Sequence, residues 1–266
     1  MLLFGSFYLK ASVFWYLIVF LAGLVMGSFI NSFVWRAHEG KKFFFQKSCC
    51  IHCGEKLLWY ENIPLFSFLF LKGKCRNCQK RIPTHYVLVE IGVALVFLLR
   101  FHSYILSDQI SFWSIYRDVF FILILSIIFI YDFLYKLVYT PVVWLSFFLA
   151  IFFNYKIFFG SPHVGLKYLA GIVVGFVFFG FQWVVSSHKW VGVGDIYMGV
   201  LMGMWLGFET ILLALLLAYV GAAVYGLFQI LFKKKKWNSE IPLASFLSLA
   251  TFVVYYYGEK LLSFIL

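Results

Sequence analysis

The sequence predicts an all-α polytopic membrane protein of about eight transmembrane helices, carrying a small zinc-ribbon insertion on its cytosolic side. Three observations lead there. The 266 residues are 64% hydrophobic and only 12% charged, with a mean hydropathy of +0.93, whereas charged residues make up roughly 25% of a soluble domain. Apolar runs long enough to cross about 30 Å of hydrocarbon as helix recur along nearly the whole chain. The exception is one polar stretch, 36 to 84, which holds all five cysteines.

Taken in order, the spans fall at 13 to 34, 85 to 101, 112 to 131, 138 to 156, 164 to 185, 195 to 208, 209 to 232 and 241 to 262. The first run is followed by "GSFINSFVW" and not by a small-residue cleavage site, so it reads as a retained helix and not a signal peptide. The sixth has 14 residues, about 21 Å of helix, which is too short for the bilayer and expects its glycine-rich start to lie below the membrane surface. The domain division that follows is a first transmembrane helix at 1 to 35, a metal-binding loop at 36 to 84, and a helical core at 85 to 266.

Orientation follows from Lys and Arg. They concentrate in 36 to 84 and in Lys233, Lys234, Lys235 and Lys236, which places the large loop in the cytosol and both termini outside. The net charge of +11 is explained by anchoring against anionic lipid, and calls for no nucleic acid. The aromatic share of 23% suits lipid-facing packing and interfacial belts.

In the loop, Cys50-x-x-Cys53 is followed after 21 residues by Cys75-x-x-Cys78. This is the spacing of a site with four thiolate ligands, in which each turn aims two sulfurs at one ion. A segment this small builds little core, so metal binding would supply much of its folding free energy. Disulfides are the alternative, disfavoured in the cytosol. Cys49 and His52 read as bystanders, because the paired spacing already supplies four ligands. A closed tetrahedral site leaves no open position, so the zinc is expected to scaffold and not to catalyse.

Chemistry is expected at two carboxylates. Asp132 ends the third span in "FIYDFLYKL", and Asp195 begins the sixth in "GVGDIYMGVL". A carboxylate in a membrane helix costs roughly 2.5 to 3.5 kcal/mol on insertion scales, so it generally faces a cavity or a partner. Asp118 and Glu209 are placed near the outer face, where an interfacial carboxylate suffices. Two facing carboxylates share a proton, so one can activate water while the other polarises a carbonyl. The pair therefore reads as an aspartyl protease dyad. The same residues also suit a transporter that binds protons or cations.

Four motifs in order resemble the type IV prepilin peptidases, bifunctional leader peptidases and N-methyltransferases: "GSFINSFVWR" (27 to 36), the Cys pairs with "ENIPLFSFLFLKGKCRNC", "HYVLVE" (85 to 90) and "GVGDIYMGVLMGMWLG". The resemblance implies that Asp132 and Asp195 form the peptidase site at the cytosolic face. It implies a bacterial inner-membrane enzyme that removes the basic leader of prepilin or pseudopilin precursors. It also implies methylation of the new N-terminus from S-adenosylmethionine, with Asn31, Arg36, Asn62 and Glu90 as candidate residues for that half. The chain departs from the family at Val138, Tyr139 and Thr140, where Ile-Pro-Asp is usual, at Tyr197 in place of Lys, and at His85 in place of Arg. A peptidase without the methyltransferase half is the other reading within the resemblance. Oligomeric state is not legible.

Overall fold

The structure is a computed structural model that describes residues 2–41, 48–107, 111–233 and 240–265. Lys42, Lys47, Lys234, Lys235 and Lys236, part of the orientation argument, lie outside the described residues. The elements are α1 (Leu2–His38), a 3-10 turn (Trp59–Asn62), α2 (Phe66–Phe70), α3 (His85–Ser107), α4 (Phe112–Tyr135), α5 (Thr140–Gly160), α6 (Pro162–Val185), α7 (Val193–Lys233) and α8 (Leu243–Ile265). Two isolated β-bridges accompany them, Cys49 with Lys56 and Lys74 with Arg81.

The all-α membrane class holds, but the count of eight crossings is not returned. Five helices among the described residues are long and apolar enough to cross a membrane: Val13–His38, His85–Leu106, Phe112–Tyr135, Pro162–Val185 and Val193–Phe232. The expected spans at 195 to 208 and 209 to 232 both lie within α7, which breaks at Gly207 (φ 74°, ψ −177°). That conformation is open essentially to glycine alone. α5 runs for 21 residues, with Thr140–Tyr155 apolar among the described side chains, and α8 is diluted by Ser245, Ser248, Thr251 and a run of three tyrosines.

The chain forms two compact units, Met1–Val119 and Phe120–Leu266. In the first, α1 and α3 pack antiparallel with their backbones almost touching. A Cβ on Gly23 would lie 2.5 Å from Ala94 Cα, and one on Gly27 would lie 2.6 Å from Glu90 Cα. Two small residues four apart on one helix permit this approach, the pattern by which membrane helices gain van der Waals contact without a hydrophobic drive. One turn further on, Asn31 Nδ2 donates to the Tyr86 carbonyl at 2.9 Å.

Asp118 corrects the interfacial reading. It is 1% exposed, paired with Arg100 and with Arg117 Nε at 3.1 Å, and it accepts the Tyr104 hydroxyl at 2.7 Å. Burial of the charge is compensated by two cations and a donor. Glu209 does lie in the open, paired with Lys167 at 2.5 Å.

In the second unit a glycine seam joins α6 to α7. A Cβ on Gly171 would lie 2.6 Å from the Gly207 carbonyl carbon, and one on Gly203 would sit inside the backbone at Gly171 and Ile172. Gly175 and Gly199 meet in the same way. Beside this seam Phe121 packs against Trp205 and Tyr255, with ring centroids 4.5 and 4.4 Å apart. These contacts fix the start of α7, where Asp195 stands.

Candidate functional site

Asp132 sits in the last turn of α4 and is 5% exposed. Its Oδ2 accepts two hydrogen bonds from one residue: the Ser245 backbone N–H at 2.7 Å and the Ser245 hydroxyl at 2.8 Å. Ser245 lies in the first turn of α8, where backbone N–H groups have no partner within the helix. Asp132 therefore caps a helix remote in sequence, at its positive end. The Ser245 hydroxyl also lies 2.9 Å from the Phe129 carbonyl, so its single proton serves one acceptor at a time.

Asp195 is half-buried in the first turn of α7. Its Oδ2 accepts the Gly192 N–H at 2.9 Å, while its own N–H donates to the Gly192 carbonyl at 3.0 Å. This reciprocal pair turns the chain into the helix. Gly194 matters sterically, since a Cβ there would lie 2.6 Å from Val138 Cγ2. The Val138 that departs from the family pattern thus packs on the glycine beside the aspartate. Val138 follows Asp132 by six residues and Gly194 precedes Asp195, so this contact brings the two acid-bearing segments together.

In the first unit the sulfurs of Cys50, Cys53, Cys75 and Cys78 lie within 4.8 Å of one another, with Cys50 and Cys78 at 3.9 Å. Four sulfurs about 2.3 Å from one tetrahedral ion stand roughly 3.8 Å apart, so the donor set fits zinc. No disulfide joins the five cysteines. Two turns of matching hydrogen bonding build the set. Cys50 N–H donates to the Glu55 carbonyl and Gly54 N–H to that of Cys50, and Cys75 with Lys80 and Gln79 repeats the pattern at 2.9 and 3.0 Å. Gly54 and Gln79 hold equivalent places with φ of 72° and 58°. Burial pushes the Cys50 thiol up to about 11. The Cys78 backbone N–H brings Cys75 down to about 7, toward the thiolate that a metal takes. Cys49 and His52 stay outside the set.

A cleft of about 160 Å³ opens between this cysteine-bearing loop and α1 and α3. It brings together Asn31, Arg36, Asn62 and Glu90, residues that the sequence spreads over 60 positions. Glu90 is 8% exposed and its Oε2 accepts the Leu65 N–H at 2.8 Å. Asn31 is 6% exposed, and its Oδ1 has no hydrogen-bond partner among the described residues. Glu61, unremarked in the sequence, holds the Leu58 N–H at 2.8 Å and Arg76 at 3.2 Å in the cleft wall.

Fold and sites together define a helical integral membrane protein with a four-thiol cluster suited to a metal ion in one unit and two carboxylates at helix ends in the other. Comparison with known proteins gives the particular family. Residues 21–104 match the bacterial peptidase A24 N-terminal domain, and residues 119–227 match the type IV leader peptidase family. Among similar proteins, a prepilin leader peptidase/N-methyltransferase of Klebsiella pneumoniae is 30% identical over 216 residues, covering 77% of this chain and 90% of the relative. Proteins of the same name from Bacillus subtilis (28% identical, 93% of this chain, 96% of the relative) and Pseudomonas putida (27%, 90% and 89%) align over nearly their whole length. The chain belongs to the type IV leader peptidase family. No solved structure matches it.

Proposed function

We propose that this chain is a prepilin leader peptidase and N-methyltransferase, with the peptidase site at Asp132 and Asp195 and the methyl-transfer site in the cleft above Asn31 and Glu90. The observation that supports the peptidase half is a carboxylate at each of two helix ends, each with its Oδ2 already engaged. Oδ1 of each is thereby left for water and for the scissile carbonyl. One aspartate takes the proton of the attacking water, and the other donates to the carbonyl oxygen as the tetrahedral species forms. The proton returns to the leaving amine, and the basic leader departs.

Relatives named prepilin leader peptidase/N-methyltransferase support both activities. S-adenosylmethionine supplies an electrophilic methyl group. Arg36 and Asn62 would hold the donor, while Asn31 and Glu90 would hold the new N-terminal amine. The buried Asn31 Oδ1 without a partner fits a ligand that brings an N–H group. Zinc on Cys50, Cys53, Cys75 and Cys78 is structural here, fixing the loop, residues 36 to 84, that forms one wall of the cleft. The enzyme works in the bacterial inner membrane with this loop and both sites facing the cytosol. There a pilin's apolar helix stays in lipid while its basic leader remains on the positive side. Prepilin or pseudopilin precursors are the protein partners, and lipid is the solvent.

The test is the intact mass of a prepilin incubated with membranes containing this chain and S-adenosylmethionine, beside the Asp195→Asn variant. A product lacking its leader and heavier by one methyl group, absent with the variant, is expected. Cleavage without the methyl group removes the second activity, and an uncut precursor overturns the proposal.

A further inference from the structure

We propose that the segment 58 to 70 is a membrane-interface element, seated among phospholipid headgroups and upper acyl chains beside α3. The segment carries an apolar outer face: Trp59 is 79% exposed, Leu69 61% and Phe70 83%, with Ile63 and Phe66 also open. An exposed apolar patch of this kind marks a contact surface. Its one charged group turns the other way. Glu61 is 8% exposed and holds the Leu58 N–H and Arg76, and Glu90 holds the Leu65 N–H. Polar inside and apolar outside is the arrangement of a segment whose solvent is lipid.

Depth identifies the occupant. Glu90 is the sixth residue of α3, about 7.5 Å along the axis from its start, within the span His85–Leu106. The bond from Leu65 therefore ties the segment to the second turn of a membrane-crossing helix. Asn62, Ser67 and Leu71 line the same cleft as Ser28 and Asn31, which lie inside the span Val13–His38. At this level α3 presents Leu88, 68% exposed, so the apolar face of the segment continues a lipid-facing surface. Trp and Tyr favour this interface. The exposed Lys72, Lys74 and Lys80 that follow supply charge for anionic headgroups.

This inference does not depend on either proposed activity. To test it, the full chain is made with a diazirine analogue of phenylalanine at position 70 and, separately, at 59. Each is irradiated in membranes containing phosphatidylglycerol and a prepilin, and adducts are identified by mass. Phospholipid adducts are expected at both positions and not at exposed Gln79. A prepilin adduct or a second copy of the chain in place of lipid, or no adduct above the Gln79 level, would overturn the proposal. As a check that needs no analogue, acyl-chain-brominated lipid should quench the part of the tryptophan emission that Trp59→Phe removes; unquenched Trp59 emission also overturns it.

Discussion

The two units assemble their functional groups by different means. In Met1–Val119 the four thiols come from two short turns that repeat one hydrogen-bonding pattern, each complete within six residues. In Phe120–Leu266 the carboxylates stand on separate helices, and Asp132 is oriented by a serine 113 positions away. A site built from local turns tolerates changes in distant packing but depends on its ligands and its ion. One built across helices depends on every contact that sets helix register.

Substituting one carboxylate should break this comparison most sharply. Asp195→Asn is expected to lower prepilin cleavage by roughly 10²- to 10⁴-fold while leaving metal content unchanged. Methylation of a pilin already freed of its leader should persist. If that methylation also disappears, the two sites are not separable as argued.

Next in size is the metal site. Cys75→Ser should take the chain from about one zinc to well below one by metal analysis, because a site with three thiolates loses both affinity and folding free energy. Methylation of the pre-cleaved pilin should fall at least about tenfold, since zinc fixes one wall of the cleft. Cleavage should fall less. An equal loss of both activities would show that the loop serves the peptidase directly.

Helix packing should matter mainly on the other side of the comparison. Gly203→Ala places a methyl group inside the Gly171 backbone and should destabilise the second unit by about 1 to 3 kcal/mol, read as a lower thermal midpoint of cleavage activity. Zinc retention should not follow it. Ser245→Ala removes the hydroxyl donor to Asp132 and keeps the backbone one, so kcat for cleavage should fall about tenfold, the worth of one hydrogen bond to a charged group. KM should stay, and Ser245→Thr should restore the rate. The smallest effect belongs to Gln79→Gly. It relieves a positive φ that the equivalent Gly54 already accommodates, and should raise loop stability by less than about 1 kcal/mol.

Much of each site is legible in the residues alone, and those that are not share a property. The thiol set can be read because its spacing is local, and Cys49 and His52 do stand outside it. Asp132 and Asp195 stand out because carboxylates are costly in apolar helices. Ser245 gives no signal, since a serine in a membrane helix normally bonds its own backbone, as Ser248 and Thr251 do to carbonyls four residues earlier. Asp118 reads wrongly as interfacial because its compensating cations lie on two helices, at Arg100 and Arg117. The boundary expected between the sixth and seventh spans falls at Gly207, where two helical stretches of α7 meet and the second returns along α6 to bring Tyr219 to Gln182.

By itself the sequence determined the membrane class and the four cysteines that the fold gathers, and it singled out two acids in apolar helices. Composition sets the solvent a chain requires, short-range spacing sets a turn, and a charge in hydrocarbon is conspicuous wherever it falls. Only the tertiary structure decided which oxygen of Asp132 is engaged, that Asn31 and Glu90 share a cleft with Arg36 and Asn62, and that Asp118 is buried. Those facts depend on helix register, which glycine seams such as Gly171 with Gly203 and Gly27 with Glu90 fix closely. Close packing of this kind is a property of two surfaces together, and neither helix carries it in its own sequence.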